Sequence, residues 1–246
     1  MLFLMKKLLK AADQTIFNGR IHKTYFKLKQ AYHLHRAKTL GEKFHYHFYH
    51  SHLFEDQWMG VPCTQNPLDM WIKQKLIWQT KPDFIIETGT YKGGSSLFYA
   101  TLFEAIGHGK VITLDWAPQI EEASHHPLFQ KRVTSIQGET TSQEVFQQVK
   151  RLVDNKTAMV ILDSNHSCDH VLKELQLYSG FVSKENYLIV EDTNVNGHPV
   201  LPHFGPGPFE AVKQFLKTRA DFVVDKACEK FCVTFFPSGF LKRVSL

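Results

Sequence analysis

Long apolar runs are missing from this sequence. Nothing in it approaches the roughly 18 to 20 consecutive apolar residues of a membrane span, which reads against an integral membrane protein. Cysteine is scarce: Cys63, Cys168, Cys228 and Cys232 form no C-x-x-C pair and no disulfide framework, so we read them as reduced thiols in a cytoplasmic protein. The opening MLFLMKKLLKAADQ sets its lysines after a very short apolar patch and has no small-residue cleavage site, contrary to a signal peptide. Internal repeats and low-complexity tracts are absent too. So is the dinucleotide fingerprint G-x-G-x-x-G, because Tyr91 stands where its second glycine would be; this argues against NAD and against a phosphate cradle.

Acidic residues are sparse at the start of the chain. Residues 1–56 hold ten Lys/Arg against four Asp/Glu, so the net charge of +5 belongs to this segment, which also carries seven of the fourteen histidines. The stretch IHKTYFKLKQAYHLHRAKTL reads as helical and partly amphipathic. One reading is a helix docked on the core or on a second copy of the chain, giving a homo-oligomer. The other is an arm that meets an anionic partner, such as a membrane surface for peripheral contact or an acidic glycan. FHYHFYHSH reads as a mixed aromatic and histidine interface rather than a metal site, and the core lacks the basic stripe that nucleic acid would require. The expected organisation is a basic, histidine-rich helical extension over residues 1–56 and one α/β domain over residues 57–246. At 246 residues and 43% hydrophobic content, the chain is long enough to bury a full core.

From about residue 67, short apolar runs alternate with helical periodicity. DFIIETG, KVITLDW, RVTSIQG, AMVILDS and YLIVEDT read as strands, separated by helical stretches such as GGSSLFYATLFEAI, SQEVFQQVKRLVD and DHVLKELQLYSGFV. Near-continuous apolar strands with helices between them indicate a parallel sheet buried on both faces, a doubly wound α/β fold. After the helix PFEAVKQFLKTR, the runs DFVVDKAC and CVTFFPSGFLKRV have no helix between them, so they are expected as an antiparallel C-terminal pair at the edge of a seven-stranded sheet.

Four of the five strands end in acid, at Glu87, Asp115, Asp163 and Glu191–Asp192, and the remaining one is followed by Glu139 and Thr140. Taken singly, each is an ordinary helix cap or turn residue. Together they line the edge where doubly wound sheets bind ligands, and their repulsion calls for a cation or for a ligand's hydroxyls and amines. The first crossover, ETGTYKGGSSLFYA, has Gly89, Gly93 and Gly94 in a tight turn with Thr90, Tyr91 and Ser95, where bare backbone admits a cofactor. Asp115 is suited to a ribose diol, and Glu87 to a cofactor bearing a sulfonium or ammonium.

FIIETGTYKGGSS, ILDSNHSCDHVLKEL and VEDTNVNGHPVLPHFGPGPFEAV together resemble the cephalosporin hydroxylase/rhamnosyl O-methyltransferase family, over about residues 67 to 244 and including the closing FPSGFLKRV. The resemblance implies the class I methyltransferase fold, Rossmann-like and doubly wound. It also implies S-adenosylmethionine at Glu87, Gly89, Thr90, Tyr91, Gly93, Ser95, Asp115, Glu139, Thr140 and Asp163. A divalent metal, usually magnesium, is implied at Asp163, Glu191 and Asp192. Three hard oxygen ligands from adjacent strand ends suit that ion.

Within ILDSNHSCDH, His166 lies three residues after Asp163 and is expected to take a proton from an acceptor hydroxyl, with His170 one helical turn further along the same face as a substrate contact. The stretch 193–209, with four prolines and three glycines, is expected to overhang the metal, so that His198 and His203 line the acceptor pocket. The leading expectation is an O-methyltransferase acting on a hydroxyl of a small-molecule or glycan acceptor: a sugar, glycolipid or secondary metabolite. One alternative is a non-haem iron oxygenase with Asp163, His166 and His170 as its facial triad. Another is a non-catalytic partner protein that keeps the fold.

Overall fold

The computed structural model describes residue 24 and residues 39–245, in a chain that divides into two compact units, Met1–Phe44 and His45–Leu246. In the first unit, residues 24 and 39–44 are helical; the expected basic arm otherwise lies outside the described residues. No helix among the described residues is long and apolar enough to cross a membrane.

The second unit opens with helical residues 45–50 and an antiparallel hairpin of β1 (Glu55–Trp58) and β2 (Val61–Thr64). The hairpin turns through Met59 and Gly60, both at positive φ (52° and 85°), the conformation that matches the twist of paired strands. Helix α1 (Pro67–Thr80) starts where the Asn66 side chain accepts from the Leu68 amide and Pro67 supplies a preset φ, a cap that contributes about 1 kcal/mol.

Then comes the alternation: β3 (Phe84–Thr88), α2 (Gly94–Ile106), β4 (Lys110–Asp115), the short α3 (Glu121–Ser124) and α4 (Pro127–Arg132), β5 (Val133–Gln137), α5 (Gln143–Val153), β6 (Ala158–Leu162), α6 (Cys168–Tyr178) and β7 (Tyr187–Val190). Helix α7 (Pro208–Phe215), β8 (Phe222–Val224) and β9 (Phe240–Arg243) complete the chain.

Seven strands form one sheet in the order β5-β4-β3-β6-β7-β9-β8, parallel from β5 to β7, with β9 antiparallel to both its neighbours. The doubly wound, mostly parallel sheet expected from the sequence is therefore present. Its C-terminal pair is antiparallel and at the edge of the sheet, as expected, with β9 lying between β7 and the outermost strand β8. The first half of CVTFFPSGFLKRV is not strand. Residues 234 and 235 are tied instead to α1, because the buried Asp69 carboxylate accepts from Thr234 Oγ1 (2.6 Å) and the Phe235 amide (2.8 Å).

Strand periodicity sorts the core into two layers. Ile86, Ile112, Val160 and Leu188 face one way, toward residues of α5, α6 and α7, whereas Ile85, Val111, Met159 and Ile189 face the other, toward α1 and α2. Each such side chain, fully buried, contributes about 1.5–3 kcal/mol of transfer free energy. Because the chain runs from β3 out to β4 and β5 and then returns to β6 on the opposite side, the loops after β3 and β6 diverge. A crevice opens at the carboxyl edge between them.

His45 is buried against this core, stacked on Phe235 at 5.2 Å between ring centroids, with Nε2 accepting from Asn194 Nδ2 at 2.9 Å. Burial pushes its pKa down from 6.5 to about 4. A histidine kept neutral in the folded state costs nothing above pH 6.5 and destabilises progressively as pH falls toward 4, by up to about 3 kcal/mol. The urea midpoint of the protein should therefore fall across that window, and His45→Gln should flatten the fall. An equally steep profile in the variant would assign the acid sensitivity elsewhere.

Candidate functional site

Five loops meet at the carboxyl edge of the sheet, and glycine lets two of them approach closely. Gly89 has φ +89°, and a Cβ there would lie 1.9 Å from the carbonyl oxygen of Asp163, so the turn after β3 touches the end of β6 through bare backbone. At Gly94 a Cβ would lie 2.2 Å from the Pro62 carbonyl oxygen, which is how the β1–β2 hairpin rests on the first turn of α2. Glu87, expected to face a cofactor's cation, lies behind this turn. Its buried carboxylate accepts from Ser95, Ser96 and Thr113, and it lines neither of the two large cavities. Burial pushes its pKa up while the three hydroxyls pull it down. Glu87 thus braces the turn, and only Ser95 of this group reaches a cavity wall.

The larger cavity, about 770 Å³, is lined by Gly89, Tyr91, Asp115, Trp116, Glu139, Thr140, Asp163, Ser164 and His170 among others. Asp115 takes one backbone amide on each oxygen, from Tyr91 (2.8 Å) and Ala117 (2.9 Å). Its carboxylate is fixed in orientation and keeps lone pairs for a diol. Trp116, 74% exposed on the cavity wall, was missed from sequence; its position directly after the strand-end acid was the available signal.

A second cavity, about 680 Å³, shares Gly89, Tyr91 and Asp163 with the first and adds Thr90, Gly93, Ser95, His166 and Asp192. Hairpin residues Glu55, Asp56 and Gln57, together with Gln65 and Lys92, make its other wall predominantly polar. Here Asp163, His166 and Asp192 each offer one donor atom within 4.8 Å of the others, the group among the described residues with that geometry. His166 Nε2 lies 3.2 Å from Asp192 Oδ2. The Asp163 carboxyl is held well above its usual pKa by burial and then by the Glu191 and Asp192 charges. Two carboxylates under mutual repulsion, with an imidazole beside them, fit a divalent cation.

Glu191, expected as the third metal ligand, is engaged elsewhere. It is buried, with Oε1 paired to Lys73 and Oε2 accepting from Gln65 Nε2 at 2.8 Å. The same Gln65 nitrogen donates to Asp163 Oδ2 at 3.0 Å. Lys73 is wholly buried on α1 and also reaches Gln65 Oε1 (2.6 Å) and the Tyr99 hydroxyl (3.2 Å), with the Phe236 ring centred 4.9 Å away. Burial works most strongly against its charge, but the carboxylates around it, Glu191 first and then Asp163 and Asp69, together hold its pKa above the ordinary lysine value. Neither Lys73 nor Gln65 was identified from sequence: a lysine within a helical pattern reads as solvated, and nothing local marks it as buried.

The histidines are sorted by the start of α6. His166 precedes the helix, which begins at Cys168, so it does not share a helical face with His170. His170 instead turns to the larger cavity, with Nε2 at 3.1 Å from Thr140 Oγ1, 3.2 Å from Ser164 Oγ and 3.3 Å from Glu174 Oε1. The triad of Asp163, His166 and His170 is therefore not assembled, which removes the geometric basis of the iron oxygenase reading. The loop after β7 also departs from expectation. His198 stacks on Phe209 at 3.9 Å and pairs with Glu210 at 3.0 Å, and Glu210 additionally accepts from the Gly207 amide, so the loop is stitched to the start of α7. His203 is exposed, and neither histidine lines the second cavity.

The model of the family described as Rhamnosyl O-methyltransferase/CmcI matches residues 50–244. A rhamnosyl O-methyltransferase of Mycobacterium leprae (strain TN) is 35% identical over 212 residues, covering 83% of this chain and 91% of that protein. One of Mycobacterium tuberculosis (strain ATCC 25618 / H37Rv) is 35% identical over 218 residues, covering 84% and 86%. Among solved structures, an apo form of CmcI superposes with a TM-score of 0.59 at 20% identity, over 78% of this chain and 77% of that one. CmcI with Mg and SAM gives 0.58 at 20% identity, over 77% of each. At that identity the likeness establishes the fold.

Removing one partner of a buried ion pair leaves the other charge uncompensated, at a cost of about 3–5 kcal/mol. Lys73→Met should lower unfolding stability in urea by an amount in that range, while the exposed Lys81→Met should change it by less than about 1 kcal/mol. A small loss at Lys73 would mean that Glu191 finds another partner.

Proposed function

The chain belongs to the Rhamnosyl O-methyltransferase/CmcI family, and from that premise we propose that it transfers the methyl group of S-adenosylmethionine to a hydroxyl of a sugar, glycolipid or secondary metabolite, with magnesium or another divalent metal. The observation that carries this reading is the meeting of two cavities at Gly89, Tyr91 and Asp163. One side offers the Asp115 carboxylate to a ribose diol and the Trp116 and Tyr91 rings to a purine. The other offers polar walls and an acid–histidine cluster to a hydroxylated acceptor. A methyl group passing between them stays at the shared edge, where positioning accounts for much of the rate.

Asp163 and Asp192 are the residues that would hold the metal, with His166 within reach of the same point. When bound, such an ion lowers the pKa of an acceptor hydroxyl and fixes its oxygen. His166 supplies the base. With Nε2–H directed to Asp192, the imidazole keeps the lone pair of Nδ1 for the acceptor's proton, and the Asp192 carboxylate stabilises the imidazolium that forms. Lys73 holds Glu191 in place through a buried ion pair, and Gln65 ties Glu191 to Asp163, so the cluster is organised before ligands arrive. The polar walls from Glu55 to Gln57 and at Lys92 favour an acceptor with several hydroxyls over a bare phenol.

Calorimetric titration with S-adenosylmethionine should show one site per chain, and Asp192→Asn should weaken magnesium or manganese binding at least tenfold. His166→Gln should lower kcat by about 10²–10⁴ while leaving metal affinity within a few-fold, the pattern of a general base. The opposite pattern, lost metal affinity, would make His166 a ligand instead. No cofactor binding by the intact protein would sink the reading.

A further inference from the structure

We propose that the outward face of α1, which carries Trp71 and Trp78, is a docking surface for an anionic lipid bilayer. This surface is separate from both large cavities and stands whether or not the proposed reaction does.

Helix α1 buries Ile72, Leu76 and Ile77 in the core and leaves Trp71 and Trp78 61% and 58% exposed. Seven residues are nearly two full turns, so the two indoles stand on one stripe, about 10 Å apart along the axis. Single exposed apolar side chains are ordinary on a protein surface, but two of the largest, aligned on one helix, form a patch. Trp58 gives the contrast: it is half-buried, and its indole N–H donates to Thr101 Oγ1 at 3.1 Å. An exposed indole joins an apolar body to one polar N–H, the combination that settles at the boundary between lipid headgroups and acyl chains.

The free charges around the stripe are of one sign. Lys75 lies between the two indoles, a turn from each, and Lys81, just past the helix, places Nζ 4.8 Å from the centre of the Trp78 ring. Residues 228–235 run beside the helix. Thr234 and Phe235 are held by Asp69, and Lys75 is close enough to Cys228 for its charge to oppose the burial that pushes that thiol up to about 12. This segment adds Lys230, with Nζ 4.8 Å from the centre of the Phe231 ring, itself 37% exposed. Lys75, Lys81 and Lys230 form no ion pair among the described residues, whereas the carboxylates nearby are engaged: Asp69 as above, Glu229 with Lys226, and Asp225 with the Tyr187 hydroxyl.

Exposed indoles flanked by unpaired lysines match an anionic bilayer, whose headgroup layer takes the rings and whose phosphates meet the ammonium groups. A second copy of the chain fits less well. A two-fold interface centred on this stripe would set Lys75 and Lys81 against the same lysines, and the acid that α1 carries, Asp69, is buried. Neither ring lines either large cavity, so the stripe offers no socket to a partner's side chain. Gln65, on the wall of the second cavity, immediately precedes the Asn66 cap of α1, and Trp71 is one turn into that helix. Docking through this face therefore holds the second cavity close to the bilayer.

The test follows binding of the full chain to vesicles by co-sedimentation and by tryptophan emission, with phosphatidylcholine alone and with equal parts phosphatidylcholine and phosphatidylglycerol. The wild-type protein should bind the anionic vesicles at least about tenfold more tightly than the neutral ones, and the difference should shrink as salt is raised. Trp71→Ala with Trp78→Ala should weaken binding to anionic vesicles at least about tenfold without changing the affinity for S-adenosylmethionine. Should that double variant not melt as a folded protein, Lys75→Glu with Lys81→Glu reads the same surface and should abolish the preference for anionic vesicles. Wild-type vesicle affinity in these variants would assign lipid binding to the basic N-terminal segment and overturn the inference. Absence of vesicle binding by the wild-type protein would overturn it as well. So would a wild-type dimer that the tryptophan substitutions convert to monomer, since the face would then belong to a second copy.

Discussion

Three carboxylates, Asp163, Glu191 and Asp192, converge at the ends of two adjacent parallel strands, and their repulsion is the constraint on which the rest of the site depends. Burial raises the cost, because a charge in a low-dielectric setting is both poorly solvated and poorly screened. The chain meets it by dividing the charges. Glu191 is neutralised internally by Lys73, carried in from α1 on the far side of a connection more than a hundred residues long. Asp163 and Asp192 remain facing the cavity with His166 beside them. Gln65 joins the two groups through one amide nitrogen, so the buried pair and the open pair are held as one unit.

That arrangement makes α1 and the preceding hairpin part of the site rather than an appendage to it. Lys73 and Asp69 on α1 both point inward, one to Glu191 and the other to the segment at Thr234 and Phe235 that leads into β9. Helix α1 thereby ties the β7 loop and the inserted β9 strand to the same scaffold. The hairpin closes the acceptor side only because Gly94 permits its backbone to lie against α2, and Gly89 brings the first crossover down onto β6. Two glycines at close backbone approaches thus decide where the two cavities meet.

The two cavities differ in how they are made polar. On the acceptor side, polar side chains project from a hairpin and from loop ends, with the Glu191 and Lys73 charges cancelled beneath them. On the other side, α6 supplies the buried Glu174, which accepts from the Thr140 and Ser164 hydroxyls, with the His170 imidazole beside them. The stretch ILDSNHSCDH serves both: Asp163 stands on the edge the compartments share, His166 turns to one, and Ser164 and His170 turn to the other. The loop after β7, stitched by Glu210, borders this region as a fixed support for the start of α6, where the Cys168 amide donates to Pro206.

Sequence by itself determined the architecture, because strand and helix periodicities are local: AMVIL is buried at every position, and the acids after each strand fall at the carboxyl edge of any doubly wound sheet. It also located Asp115, Asp163, His166 and Asp192, whose positions follow from strand ends. The β1–β2 hairpin and α1, by contrast, were not read from the sequence. What only the tertiary structure decided is the partnership of charges. Whether Glu191 meets a metal or a lysine, whether Glu87 faces a ligand or three hydroxyls, and whether His198 lines a pocket or pairs with Glu210 depend on residues that approach from distant parts of the chain. A buried charge takes its role from the nearest compensating group, and no local pattern reports which group that is.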